Sequence, residues 1–84
     1  MTRRSFEGAT VLVTGAGSGL GRALALRFGA SGSNIVALDK DAGGLDSLAA
    51  ELHGRGAACL PLPCDVTDAE AGPRAVAQAV EAGI

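Results

Sequence analysis

The sequence has no tryptophan and no tyrosine, and it has only two phenylalanines among its 84 residues. Proteins that bind single-stranded nucleic acids stack bases on aromatic side chains, and most nucleic-acid-binding domains carry a basic surface. This chain has a formal net charge of −2 and so offers neither property. The composition therefore predicts no nucleic-acid partner, and it leaves few large side chains to anchor a core.

Cysteine is also scarce, and long apolar runs are missing. Cys59 and Cys64 form no Cys-x-x-Cys pair of the kind used in zinc and redox sites, so we expect no metal and two free thiols. No run approaches the ~20 apolar residues of a membrane span. Residues 2–6 resemble a twin-arginine export signal, but the apolar stretch of ~7–15 residues that such a signal requires does not follow. These features predict a cytoplasmic protein without a membrane partner.

Glycine, in contrast, is abundant, and four glycines alternate through residues 15–21. This turn, Thr-Gly-Ala-Gly-Ser-Gly-Leu-Gly over residues 14–21, follows the apolar run 11–13 and precedes helical apolar spacing at Leu20, Leu24 and Phe28. Such an order suits phosphate recognition, because backbone N–H groups at a helix N-terminus can close on a pyrophosphate only where no Cβ intervenes. The literal G-x-G-x-x-G fingerprint is absent, as is the Lys-Ser or Lys-Thr of a Walker loop. The residues assigned to this phosphate site are Gly15, Gly17, Ser18, Gly19 and Leu20.

An acidic residue follows at a suitable distance. Asp39 ends the next apolar run, 18 residues beyond Gly21 (39 minus 21), close to the roughly 20 residues at which a carboxylate reaches the adenosine ribose. A carboxylate can accept hydrogen bonds from both ribose hydroxyls and repels a 2′-phosphate. The spacing therefore favours NAD over NADP as cofactor. Lys40 is the opposing signal, because a cation at this position could tolerate the phosphate.

These motifs give the chain a family likeness. The turn from Thr14 to Gly21 matches the Thr-Gly-x-x-x-Gly-x-Gly of the short-chain dehydrogenase/reductase family, which the sequence resembles over residues 6–84. Members of that family commonly close the third strand with Asp-Val, the Asp facing the adenine amino group, and Asp65 and Val66 stand at the matching place. The resemblance implies adenine contacts for both residues. It also implies hydride transfer between a nicotinamide cofactor and an alcohol or carbonyl substrate, often by a homo-oligomer.

The chain also departs from that family. The Asn-Asn-Ala-Gly turn and the Tyr-x-x-x-Lys pair that carry the family's chemistry are absent, and the only asparagine is Asn34. We therefore assign residues 1–84 to the N-terminal part of a single dinucleotide-binding domain, with no second domain. Because this part lacks a proton-transfer group, we expect it to be inactive alone, with no catalytic residue of its own.

Apolar strands that alternate with amphipathic helices predict an α/β fold with a parallel sheet covered on both faces. Right-handed crossovers make it a Rossmann-like doubly wound sheet, here a truncated half with three strands in the order 3-2-1 and three helices. The predicted strands are Thr10 to Val13, Asn34 to Leu38 and Ala57 to Leu62, and the first two helices are Gly19 to Ala30 and Ala42 to His53.

The helix ends and faces carry further predictions. Ser18 and Asp41 are the expected N-caps of helices one and two. Leu45, Leu48 and Leu52 form the core face of helix two, whose first turn should fray because of Gly43 and Gly44. Helix three should start at Pro73 after a Gly72 cap, with Val76 and Val80 facing the sheet. Arg22 and Arg27 are expected in solvent, and His53 at a helix C-terminus, where it favours the dipole.

Two other functions fit parts of the pattern. S-adenosylmethionine-dependent methyltransferases also use a strand, a Gly-x-Gly-x-Gly turn and an acidic residue after strand two. They usually carry an acid two positions before the first glycine, where this chain has Val13. The other alternative is a non-catalytic nucleotide-binding module.

Overall fold

Strands and helices alternate in this computed structural model, which describes residues 8–65 and 70–83. The alternation confirms the predicted α/β class, and most element ends fall within two residues of their predicted positions. The elements are β1 (Thr10–Thr14), α1 (Gly19–Ala30), β2 (Asn34–Asp39), α2 (Ala42–Gly54), β3 (Cys59–Pro63) and α3 (Ala71–Glu81).

The three strands form one parallel sheet with β2 in the centre, which confirms the predicted order 3-2-1. Ala37 pairs with Val13 on one side and with Pro61 on the other. Residues 35–38 are all buried, as expected for a strand covered on both faces. Proline cannot donate to a ladder, and Pro61 and Pro63 lie in β3, an edge strand of the described sheet.

The face of the sheet under α1 and α2 carries the larger core. Leu45, Leu48 and Leu52 of α2 are fully buried there, which confirms the predicted core face of this helix. Burying each leucine stabilises the fold by about 1.5–3 kcal/mol, an upper figure because the unfolded chain is already partly collapsed. From α1 the buried residues are Ala25 and Gly29, and Leu26 and Phe28 pack against the same core while remaining partly exposed.

The opposite face is covered by α3, but not through the predicted residues. Val76 and Val80 are 54% and 71% exposed, while Ala75 and Ala79 pack against Val36 of β2. The prediction of a valine face was wrong, since alanine lets the helix backbone approach the sheet more closely. The cap prediction for this helix was also wrong: Glu70 is the N-cap residue and the helix begins at Ala71.

Pro73 consequently lies in the first turn of α3 and not at its first position. The first four N–H groups of a helix have no intrahelical partner, so a proline there removes no hydrogen bond.

Polar contacts join α1 to α2 and α2 to β3. Glu51 of α2 accepts a hydrogen bond from the Arg22 guanidinium of α1 at 2.6 Å and pairs with Arg55 as well. The prediction that Arg22 is solvated was therefore wrong, whereas Arg27 is exposed as expected. The His53 ring is 3.1 Å from the Cys59 carbonyl oxygen, so it also links the end of α2 to β3.

Candidate nucleotide-binding site

The glycine turn lies at the carboxyl end of β1 and leads directly into α1. Gly15 and Gly19 have φ angles of +64° and +59°, a left-handed conformation that side chains rarely adopt. A Cβ at either position would meet nothing within 4 Å, so both glycines border open space next to the helix N-terminus. Backbone N–H groups at such a terminus favour an anion. The turn thus leaves open space and backbone donors for an anion beside the start of α1.

Gly21 has a different role in the same turn. A Cβ built on it would lie 2.1 Å from the Gly15 carbonyl oxygen and 3.0 Å from that of Thr14. The first turn of α1 therefore packs on the backbone at the end of β1, at a distance that only glycine allows.

Ser18 and Leu20 complete the predicted phosphate residues. Ser18 occupies the N-cap position of α1, but among the described residues its hydroxyl finds no capping hydrogen bond. The prediction that its side chain caps the helix was therefore wrong. Leu20 is 75% exposed and Leu24 is 42% exposed, so the apolar spacing of α1 does not mark a fully buried face.

Asp39 at the end of β2 lies beside the glycine turn. Its Oδ2 accepts a hydrogen bond from Gly17 N at 2.9 Å, and its Oδ1 accepts one from Asp41 N at 3.0 Å. The Ala16 N–H also donates to the Leu38 carbonyl oxygen at 3.1 Å. The parallel pairing of β1 and β2 thus brings together two motifs that are 22 residues apart from Gly17 to Asp39.

The pKa of the Asp39 carboxyl is lowered from its ordinary value of 3.8. The main cause is the hydrogen bond from the Asp41 N–H, followed by that from Gly17, while desolvation opposes the shift. The Lys40 N–H and its positive charge lower the pKa further. Asp39 therefore remains an anion at any pH at which a cofactor would bind.

This shift predicts an acid sensitivity of the fold. Because the folded pKa is depressed, the Asp39 contribution to stability is fully present above about pH 5 and is lost as the pH falls through 3.8 to the folded pKa. Urea unfolding of the wild type and of Asp39→Asn at a series of pH values would measure it. We expect the stability difference between the two proteins to shrink as the pH falls across this window. A difference that is constant with pH would contradict the prediction.

Gly44 in the first turn of α2 is a residue whose role the sequence pattern did not indicate. A Cβ there would lie 2.5 Å from the Gly17 carbonyl oxygen, so the glycine lets α2 approach the turn closely. The expected cap is present, since the Asp41 carboxylate accepts a hydrogen bond from Gly44 N at 3.1 Å. The pair of glycines in the first turn of this helix was the sequence signal of close packing. Only Gly44 makes the close approach, because a Cβ on Gly43 would make an ordinary contact.

Two of the three remaining predicted site residues, Lys40 and Asp65, lie at the same edge of the sheet as Asp39. Lys40 follows Asp39 and is exposed. The Cys64 N–H donates to the Asp39 carbonyl oxygen at 2.9 Å, which keeps the ends of β2 and β3 together and places exposed Asp65 at the same edge of the sheet. Val66 lies outside the described residues.

The structure adds two observations on ligands and surroundings. Across residues 8–65 and 70–83, no group of three metal-binding side chains is found. No helix in the same ranges is both long enough and apolar enough to cross a membrane. Both cysteines are free, Cys59 being buried and Cys64 partly so, and burial raises the pKa of the Cys59 thiol.

Known proteins are similar to this chain in sequence. The sequence model of one family, described as short chain dehydrogenase, matches residues 9–83. The chain is 45% identical over 73 residues to galactitol 2-dehydrogenase (L-tagatose-forming) of Cereibacter sphaeroides, covering 87% of this chain and 28% of that enzyme. It is 45% identical over 76 residues to D-threitol dehydrogenase of Mycolicibacterium smegmatis, covering 90% of this chain and 29% of that enzyme.

The fold is also similar to that of a solved structure. A short-chain dehydrogenase/reductase from Burkholderia phymatum, in complex with NAD, superposes with a TM-score of 0.88 at 32% identity. The match covers 94% of this chain and 28% of that one. The chain thus spans less than a third of the length of these relatives.

Proposed function

The chain belongs to the short-chain dehydrogenase/reductase family, and from that membership we propose that it forms the NAD-binding portion of an alcohol or carbonyl oxidoreductase. The family that the glycine turn predicts is confirmed, and the methyltransferase alternative falls away. Members of the family are nicotinamide-dependent oxidoreductases, and this chain corresponds to their cofactor-binding portion. The bound cofactor supplies the hydride chemistry, while the residues of this chain bind and orient it.

The pyrophosphate is proposed to lie over the glycine turn. The support is the open space beside Gly15 and Gly19, which a Cβ would fill, together with the N-terminus of α1. Ser18 and Leu20 are exposed at the start of α1, and we propose that both contact the phosphates. Asp65 and Val66 are proposed to contact adenine, an assignment carried by the family resemblance.

The observation that carries the NAD preference is the position of Asp39 against the turn. Its Oδ2 accepts the Gly17 N–H and its Oδ1 accepts the Asp41 N–H. A carboxylate has about four lone-pair sites, so it can accept a ribose hydroxyl in addition to backbone donors. A 2′-phosphate would be placed beside a carboxylate that stays ionised, and the like charges repel. Lys40 offsets part of this repulsion, so we propose a preference for NAD and not an absolute exclusion of NADP.

The substrate and the proton-transfer groups of the natural protein are proposals from the family alone. This chain contains no tyrosine, so it holds no Tyr-x-x-x-Lys pair that could protonate a carbonyl oxygen or accept the proton of an alcohol. We propose that the natural polypeptide supplies that pair and assembles as a homo-oligomer. The two free thiols support a reducing, cytoplasmic location.

Asp39→Ala tests the cofactor assignment in the natural polypeptide that contains these residues. We expect the KM for NAD to rise by about tenfold, the size of a hydrogen bond to a charged group, and the preference for NAD over NADP to narrow. Steady-state kinetics with both cofactors measures both effects. Asp46→Ala is the matched control, because it removes the same charge from an exposed position on α2.

Two results of this experiment would reject parts of the proposal. An NAD/NADP ratio that does not change in Asp39→Ala would remove the ribose assignment. Tight NADH binding by fluorescence titration, without turnover of any alcohol or carbonyl compound, would instead favour the non-catalytic nucleotide-binding module.

A further inference from the structure

We infer that Asp39 is also a positioning residue for the glycine turn, because its carboxylate holds the Gly17 N–H and so shapes the pyrophosphate site before NAD binds. The inference rests on the proposed NAD site and adds a second role to the residue assigned to the ribose. Its basis is the set of contacts that Gly17 makes within the fold.

Gly17 lies in the middle of the turn and is buried. Its N–H donates to Asp39 Oδ2 at 2.9 Å, so this N–H is already engaged within the fold. The other carboxylate oxygen is held by the Asp41 N–H at 3.0 Å, at the N-cap of α2. A carboxylate fixed at both oxygens by backbone donors cannot rotate without losing one of the bonds. Asp39 therefore ties the turn to the junction of β2 and α2.

The steric surroundings of Gly17 fit this role. A Cβ on Gly17 would lie 2.8 Å from Asp39 Oδ2, so glycine is what allows the carboxylate to reach the turn. On the other side, the Gly17 carbonyl oxygen packs against Gly44, where a Cβ would come within 2.5 Å. The peptide units before and after Gly17 are thus held by two different contacts, one polar and one steric. The shape of the turn depends on elements from outside it.

The positioning role of Asp39 and its role in ribose recognition predict different effects on a ligand that lacks ribose hydroxyls. If Asp39 only accepted ribose hydroxyls, its removal would not weaken a ligand that lacks those hydroxyls. Removing a negative charge near an anionic ligand would, by itself, strengthen binding. If Asp39 shapes the turn, its removal weakens every ligand that places a diphosphate there, with or without ribose hydroxyls.

The test compares ADP with 2′,3′-dideoxy-ADP, which keeps the diphosphate and lacks both hydroxyls. Calorimetric titration of the natural polypeptide and of Asp39→Ala gives both affinities, with Asp46→Ala as the charge-matched control. We expect Asp39→Ala to bind dideoxy-ADP about tenfold more weakly than the wild type, as for loss of a hydrogen bond to a charged group. Equal or tighter binding of dideoxy-ADP by Asp39→Ala would overturn the inference. A wild type that binds neither ADP nor NADH would instead reject the proposed function.

A measurement on the wild type covers the case in which Asp39→Ala does not fold. In protein labelled with ¹⁵N-glycine and without ligand, the Gly17 amide should exchange its hydrogen slowly, because it is bonded to a carboxylate. The Gly19 amide of the same turn provides the internal comparison, since the N–H groups of a first helical turn have no intrahelical acceptor. Exchange of Gly17 as fast as that of Gly19 would show that Asp39 does not hold the turn.

Discussion

Gly21→Ala is expected to destabilise the natural polypeptide by about 3 kcal/mol and to abolish NADH binding. The new Cβ would lie 2.1 Å from the Gly15 carbonyl oxygen, and the neighbouring group is backbone that cannot turn aside as a side chain can. Either α1 must move away from the end of β1, or the turn must change its shape. Chemical denaturation measures the loss of stability, and titration with NADH measures the loss of the site.

Gly54→Ala is the matched control for this substitution. Gly54 is the last residue of α2, its φ is not positive, and a Cβ there would meet nothing within 4 Å. The same chemical change should leave NADH binding intact and stabilise the fold by about 0.4–1 kcal/mol, because alanine restricts the unfolded chain more than glycine does. Equal stability of Gly21→Ala and Gly54→Ala would show that the packing of α1 on the turn is not as tight as described.

Gly19→Val is expected to reduce NADH affinity by about 100-fold or more, the effect of losing two hydrogen bonds to a charged phosphate. The side chain would project into the open space at the N-terminus of α1, where the pyrophosphate is proposed to lie. It would also force a β-branched residue into a φ of +59°, which costs about 1–2 kcal/mol of stability. Fluorescence titration and denaturation together measure both effects.

Gly56→Val separates the two effects of Gly19→Val. Gly56 follows α2 at the opposite end of the sheet, has a φ of +82°, and likewise has no atom within 4 Å of an added Cβ. The two valine variants should therefore lose similar stability, and only Gly19→Val should lose NADH affinity. If both variants bind NADH as the wild type does, Gly15 and Gly19 serve the turn and not the ligand.

The elements themselves follow from short-range patterns in the chain. The bounds of α1 agree with prediction at both ends, and Asp41 caps α2 as its position before an apolar helix indicated. Strand β2 is a continuous apolar run that only a doubly covered sheet can bury. These properties depend on residues close together in the sequence, so periodicity and capping rules can predict them.

The faces of the helices were less accessible to sequence patterns. Val76 and Val80 have the spacing of a buried stripe, yet Ala75 and Ala79, one position earlier, pack on the sheet. The choice between two adjacent stripes depends on how closely the helix approaches the strands. Likewise, Leu20 and Leu24 have apolar spacing but are 75% and 42% exposed. The residues of α1 that contact the core are Ala25, Leu26, Phe28 and Gly29.

The residue types of the candidate site could be predicted from the sequence, but the contacts between them could not. Glycines before a helix and an acid after the second strand are properties of residue type and spacing, and they suffice to indicate the family and the cofactor class. The bond from Gly17 to Asp39 and the close approach of Gly44 join residues that are 22 and 27 positions apart (39 minus 17, and 44 minus 17). Such contacts exist only after β1 and β2 have paired, because strand pairing and helix packing set distances that no local pattern encodes.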